Sequence, residues 1–316
     1  MKWADRIGQR LKPRDLHIFV AVADSRSMAK AAERLAVSRP VVSRAVGDLE
    51  RMLDVQLLDR TPQGVEPTAY GEALLRHSIA VFDGLRQSVE EIHFLANPAR
   101  GRLRVGFTEV LAAGLVPAAI DRLAQRFPRM SVETQQGNAP TVVEHLKARR
   151  CELAVVRLAG DDPEVTAEPL YREPLFVVAG SSSRWAERRR LTLGELSKEP
   201  WILSRQEALP GGPAWNAFRA AGVELPAATI ISDSMNLRHG LLTTGRYLTL
   251  IPGSALHYGP KHRHLSVLPI ALDRWALPTS VVTLKGRTIS PIGNAFVATL
   301  RELVQPLQKR MKLSRH

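Results

Sequence analysis

The sequence predicts an α/β chain that carries an all-α-type segment at its N-terminal end. Three observations predict it. Apolar residues recur at helical spacing up to Leu53, a proline-free stretch runs from Thr68 to Ala96, and extended and helical patterns alternate from Arg102 onward. The 316 residues suggest about two domains at roughly 150 residues each. A hydrophobic fraction of 45% and a charged fraction of 24% are ordinary globular values and exclude wholesale disorder. No apolar run reaches the roughly 18 residues that a membrane span requires. Cys151 is the only cysteine, which excludes an internal disulfide and a multi-thiolate zinc site.

Leu16, Phe19, Val20 and Ala23 lie on one helical face after Pro13, and proline suits a first helical turn. Ser27 is placed to cap a second helix, Met28 to Ala36, with Ala31, Ala32 and Leu35 facing inward. Val37-Ser38 leaves room only for a tight corner. Ser38 is then placed to cap a third helix, with Pro40 in its first turn and Val42, Val46, Leu49 and Leu53 inward. Its outer face offers Arg39, Val41, Ser43, Arg44 and Asp48. Two short helices joined by so short a turn, the second basic and polar near its start, describe a helix-turn-helix. Two extended runs around Thr61-Pro62-Gln63-Gly64 add a β-hairpin wing, with Arg60 at its base placed to hold a phosphate.

The segment carries Ala31-Ala32-Leu35, Ser38-Pro40-Val42-Ser43, Leu49-Glu50, Leu57-Leu58-Arg60 and Pro67-Thr68-Gly71. With these residues it resembles the N-terminal winged helix-turn-helix of LysR-type transcriptional regulators. Asp54 stands where the family usually has glycine after the recognition helix, and Leu58 where phenylalanine is commoner. The resemblance implies DNA contacts by Ser27, Ser38, Arg39, Pro40, Val41, Ser43, Arg44 and Arg60. Ser27 and Ser38 have helix capping as their other reading.

Residues 1–68 form the expected DNA-binding domain and 69–97 a linker helix. Leu75, Phe82, Val89 and Ala96 are seven apart, as are Ser78, Leu85 and Ile92, an a/d seam over about three heptads. Such a seam fits a dimer helix that holds two recognition helices one turn of DNA apart on a two-fold operator, the other reading being one amphipathic helix packed on its own domain.

Residues 98–316 open as β-α-β-α-β, so a parallel sheet with right-handed crossovers is expected, and a second set of strands and helices follows. Here the family resemblance rests on Gly106 to Pro117, Phe127-Pro128, Leu153 to Val156 and Leu250-Ile251-Pro252. It implies a two-lobed, periplasmic-binding-protein-like effector domain. Lobe one is about 100–172 plus 275–316 and lobe two about 173–274. Ligands of open parallel sheets sit at the C-terminal strand ends. Those ends place Thr108, Glu109, Val110, Gly137, Asn138, Arg157, Ser204, Arg205, Ser234, Met235 and Pro252 as effector contacts, with helix capping the other reading for Ser234 and solvation or pairing with Glu109 or Asp233 the other reading for Arg157 and Arg205. Helix N-termini and arginines there suit an anion. Apolar Val110 stands where the family often has Ser or Thr, which favours an amphiphilic small molecule over a plain carboxylate.

Charge sharpens the partition. Lys plus Arg is 44 and Asp plus Glu is 31, a net of +13. Residues 1–97 hold 14 basic against 13 acidic side chains, and 98–316 hold 30 against 18, so the excess lies outside the DNA-binding motif. No catalytic set, metal frame or phosphate loop is present: His262-Arg263-His264 has no metal-ligand partners, and no G-x-S-x-G elbow exists. No enzyme activity, metal or cofactor is expected. Met1–Asp15 has no apolar stretch of a secretory signal, so a cytoplasmic location is expected. A secreted solute-binding receptor is the alternative for the α/β part, and the N-terminal motif argues against it. The implied partners are double-stranded DNA, a small anionic or amphiphilic effector, a second or further copy of the chain as homodimer or homotetramer, and RNA polymerase.

Overall fold

The computed structural model describes residues 11–61, 64–97, 101–157, 162–226, 230–259, 263–270, 272 and 275–313. The side chains of Arg60, Leu277 and residues 309–313 lie outside that description, as do Pro62, Gln63 and His262. The chain divides into two compact units, Met1–Val89 and Glu90–His316.

In the first unit, α1 (Pro13–Ser25), α2 (Met28–Arg34) and α3 (Arg39–Leu53) pack as three short helices. Pro13 opens α1 where its missing N–H has no helical partner to lose. Phe19, Val22, Ala31, Val42, Val46 and Leu49 are buried together with Leu57, Leu58 and Val65. Burying each such larger side chain stabilises the fold by roughly 1.5–3 kcal/mol. Helix α2 ends at Arg34, two residues before the expected Ala36. Ala36 instead takes a left-handed conformation, φ 52°, which turns the chain into the corner. Asp54 closes α3 in the same way, φ 55° and ψ 36°, in place of the family's glycine. Strands β1 (Leu58–Thr61) and β2 (Gly64–Pro67) form the antiparallel wing.

Helix α4 (Ala69–Ala96) is 28 residues long, and its predicted seam is not uniform. Leu75 and Phe82 pack on the first unit's own core, and Ser78 is buried. Leu85, Val89 and Ile92 are exposed, together with Val81 and Leu95. The apolar stripe left to solvent is therefore Val81, Leu85, Val89 and Ile92, at helical spacing of four, four and three.

The second unit holds two five-stranded sheets. The first runs β4-β3-β5-β12-β6, from β3 (Arg102–Thr108), β4 (Ser131–Gly137), β5 (Leu153–Val156), β6 (Val165–Glu173) and β12 (Leu277–Leu284). β3 is parallel to β4 and β5, joined through α6 (Leu115–Arg126) and α7 (Ala139–Lys147) after a short α5 (Glu109–Ala112), as the β-α-β-α-β reading requires. The sheet is nevertheless mixed and not parallel throughout as expected: β12, returning from the second sheet, runs antiparallel to both β5 and the edge strand β6. The sequence reading did not include β6. Pro169 interrupts its pattern, and an edge strand is where proline is tolerated, here beside a register shift between Thr279 and Ser280.

The chain passes at Pro174 into the second sheet, β11-β7-β10-β8-β9. Its strands are β7 (Leu175–Gly180), β8 (Trp201–Leu203), β9 (Ile230–Ile231), β10 (Leu248–Pro252) and β11 (Leu265–Val267). Around it lie α8 (Leu193–Leu196), α9 (Arg205–Ala208), α10 (Pro213–Ala220), α11 (Met235–Leu242) and α12 (Gly253–Tyr258). Trp201 is fully buried edge-on to Phe218, ring centroids 5.2 Å apart, and its indole N–H donates to the Leu196 carbonyl. The chain returns through β12 to α13 (Pro291–Leu313), which covers the first sheet with Ile292, Phe296 and Leu300.

Candidate nucleic-acid interface and effector cleft

On α3, Ser38, Arg39, Pro40, Ser43 and Arg44 are exposed and Val41 is half-buried. Among the described residues neither Arg39 nor Arg44 has a carboxylate partner, whereas Arg26, Arg34 and Arg51 pair with Glu66, Asp24 and Asp48. The unpaired guanidiniums thus sit on the face the sequence assigned to DNA. Ser27 caps α2, its hydroxyl accepting from the Lys30 N–H at 3.4 Å. Ser38 occupies the cap position of α3 without a side-chain cap bond. This departs from the expected cap. Pro40 removes the second donor of the helix, and the Val41 N–H donates to the Ser38 carbonyl. Ser38 and its neighbour Arg39 are both exposed.

Glu50, Gly64, Thr68 and Gly71 hold the wing in place. The Glu50 carboxylate accepts from the N–H groups of Leu57 (2.8 Å) and Leu58 (3.3 Å), tying the wing's first strand to α3. The Val65 N–H donates to the Arg26 carbonyl, and Gly64, at φ +136°, passes so close that a Cβ there would lie 2.4 Å from that oxygen. Thr68 donates to the Gln56 carbonyl and accepts from the Gly71 N–H. A Cβ on Gly71 would lie 2.0 Å from the Leu57 carbonyl oxygen. The Arg60 backbone pairs with Val65, while its side chain is outside the described part.

Between the two lobes lies a cavity of about 460 Å³. Lobe one supplies Glu109, Ala112, Ala113, Gly114, Pro117 and Gln136, and lobe two supplies Met235, Asn236, His239, Tyr258 and Gly259. The lobes approach closely beside it: a Cβ on Gly114 would lie 2.3 Å from the Ser254 carbonyl oxygen. Glu109 spans the gap, its carboxylate accepting from the Met235 N–H at 2.9 Å. A second tie sits where the chain changes lobes. Glu173 is fully buried and accepts from the Tyr171 hydroxyl, the Ser254 N–H (3.0 Å) and the Ser254 hydroxyl (2.8 Å). Burial first, and then the Glu173 charge, push the Tyr171 phenol far above its usual range.

Of the eleven residues placed at strand ends, Glu109 and Met235 line this cavity. Val110 packs beside it near Met235, Ile251 and Ala255. Most of the others are engaged in local structure. Asn138 caps α7 by accepting from the Thr141 N–H at 2.9 Å, with Gly137 against the Thr141 side chain. Ser204 forms a capping box with Glu207, and Ser234 caps α11 through the Leu237 N–H. Arg205 is exposed on α9, and Pro252 is buried at the end of β10. Thr108 precedes α5 with its hydroxyl buried and, among the described residues, without a hydrogen-bond partner. Arg157 is 5% exposed, its Nε and Nη2 have no hydrogen-bond partner among the described residues, and its charge acts on Tyr171.

Two features had a readable signal that the strand-end rule passed over. Asn236 and His239 share with Met235 one face of α11, a face that helical spacing defines. Arg238 is fully buried, with Met235 and Leu242 also buried, and meets the Glu207 carboxylate at 2.9 Å. It also donates to the Thr249 hydroxyl and to the Leu250 and Ser232 carbonyls. A charged residue in an apolar helical register implies such a buried partner. Cys151 is fully buried, and burial pushes its thiol up to about 11.

Residues 13–72 match the bacterial regulatory helix-turn-helix of the lysR family, and residues 96–305 match the LysR substrate binding domain. The chain belongs to the LysR family of transcriptional regulators. It is a DNA-binding regulator with an effector-binding domain. This LysR-type regulator is 32% identical over 290 residues to the regulator TdfR of Cupriavidus pinatubonensis, covering 91% of this chain and 97% of that protein. It is 30% identical over 289 residues to the SDS degradation transcriptional activation protein of a Pseudomonas species, covering 90% and 93%. Its fold matches full-length CbnR in complex with target DNA at a TM-score of 0.65, with 23% identity and coverage of 92% and 99%. Among the described residues no helix is long and apolar enough to cross a membrane.

Proposed function

We propose that this LysR-type regulator works in the cytoplasm as a homodimer or higher homo-oligomer on a two-fold DNA site. The inter-lobe cavity holds its effector, and effector binding changes promoter contacts made together with RNA polymerase. The observation that carries the reading is a cavity of about 460 Å³ with walls from both lobes and a bond, Glu109 to Met235, running across it. A ligand there contacts both lobes at once, so it favours one lobe arrangement by its difference in affinity between arrangements. The exposed stripe Val81, Leu85, Val89 and Ile92 on α4 supports pairing of two chains. Outward Ser38, Arg39, Ser43 and Arg44 support base and phosphate contacts by α3. We read Ser27, Pro40, Val41 and Arg60 as flanking contacts on the same site.

A thermal-shift screen of the full chain against small acids, amides, amines and aromatics tests the cavity. A true effector at 100 times its dissociation constant adds about 2.7 kcal/mol of stability. A hit that leaves Asn236→Trp unshifted, with that cavity filled, supports the reading. A hit that shifts both proteins equally overturns the assignment of the cavity.

A further inference from the structure

We infer that Glu109 is an internal carboxylate ligand that sets the charge preference of the cleft: the cavity takes an uncharged or cationic small molecule and excludes carboxylates. The inference rests on the cleft being the effector site. The excess positive charge of residues 98–316 does not reach this cavity. None of its described lining residues is Lys or Arg, and its one carboxylate is Glu109. Arg157 and Arg205, the arginines at the strand ends, are not among them. The group that an anionic effector would seek is the N-terminus of α11, eight residues long, with its free N–H groups. That end is already served from both sides. Ser234 takes the Leu237 N–H, and Glu109, reaching over from the other lobe, takes the Met235 N–H. An incoming carboxylate would meet a like charge and, His239 apart, no cationic side chain among the described lining residues to offset it. An amide or ammonium group instead finds an acceptor in the Glu109 carboxylate and polar neighbours in Gln136 and Asn236.

The test is chemical rescue with acetate as the probe, on the full chain. Thermal midpoints of wild type, Glu109→Ala and Glu109→Gln are followed in sodium acetate and in sodium chloride at matched ionic strength. Glu109→Ala should have a lowered midpoint and recover at least half the loss in acetate, saturably, and not in chloride. Wild type should respond to the two salts alike, as should Glu109→Gln, whose amide oxygen still accepts from Met235. Met235→Pro in the Glu109→Ala background should abolish the recovery. Proline fits the first position of a helix but has no N–H to offer. Glu109→Ser replaces Glu109→Ala if the alanine variant does not fold. An acetate-specific gain in wild type, or none in the shortened variants, overturns the inference. Neither result depends on whether the cavity binds an effector, which the Asn236→Trp comparison reports separately.

Discussion

The recognition helix and the effector cleft use polar side chains in opposite ways. On α3 the serines and arginines of the outer face are left outward: Arg39 and Arg44 have no carboxylate partner among the described residues, and Ser38 makes no cap bond. Around the cleft most candidate contacts are engaged internally. Asn138, Ser204 and Ser234 cap helices, and Glu109 and Glu173 tie one lobe to the other. A DNA-reading face must keep its donors available to a partner whose position the fold itself does not fix. A cleft that closes on a small molecule must first hold its own walls, and only the remaining groups face the ligand.

The largest expected effect lies in the cleft's support. Glu207→Gln leaves Arg238 buried with its charge uncompensated, which should cost about 3–5 kcal/mol in denaturant unfolding. Arg238→Met combined with Glu207→Leu should recover most of that loss, because the pair is then removed whole. Equal losses in the single and double variants would show that neighbours, and not the ion pair, hold α9 to α11.

On the DNA side, Arg44→Ala should weaken binding by about 1–3 kcal/mol and relax specificity at one base pair. Arg39→Ala should weaken all sequences alike and lower the salt slope by about 1. Binding curves at several salt concentrations on matched and mismatched sites separate the two. Identical behaviour of both variants would place both residues on phosphate.

The two cap serines sharpen the contrast at smaller scale. Ser27→Ala should cost about 1 kcal/mol of stability, because it loses a real cap. Ser38→Ala should leave stability unchanged and weaken DNA binding, since its hydroxyl has no cap to lose. A stability loss at Ser38 as large as at Ser27 would contradict the geometry of Pro40. The smallest effect near neutral pH is at Cys151. Its folded thiol is raised from the ordinary 9.0 to about 11, so the folded state keeps a proton that the unfolded chain releases. The resulting stability is present below pH 9 and is lost between pH 9 and about 11. Alkylation by iodoacetamide at pH 8 should accordingly be slow in the native protein and fast in denaturant.

Much of the fold was legible because its signals are local. Helical spacing, Pro13 and Pro40 in first turns, and the Pro/Gly turn of the wing each act within a few residues. The β-α-β-α-β order was legible for the same reason. β6 was not, because Pro169 breaks the strand pattern and only its edge position makes that tolerable. The two halves of the α4 seam carry the same spacing, and only the packed first unit shows which half is covered. Residues of the DNA face follow from one helix surface. The cleft does not, because a Ser or Asn at a strand end reads equally as ligand contact or helix cap. That choice depends on the residue three positions on: Thr141 after Asn138, Glu207 after Ser204, Leu237 after Ser234. Glu109 crosses 126 positions to reach Met235, beyond any spacing rule.

The most direct test of the account is DNase footprinting of the full chain on DNA beside its own gene, with wild type and Asn236→Trp compared. A protected two-fold site is expected for both proteins. Protection of one half-site should change in extent or spacing when the cavity is filled, while the half-site read by α3 stays the same. An unchanged footprint would contradict the coupling of cavity to DNA, and the absence of any two-fold protection would contradict the paired recognition helices themselves.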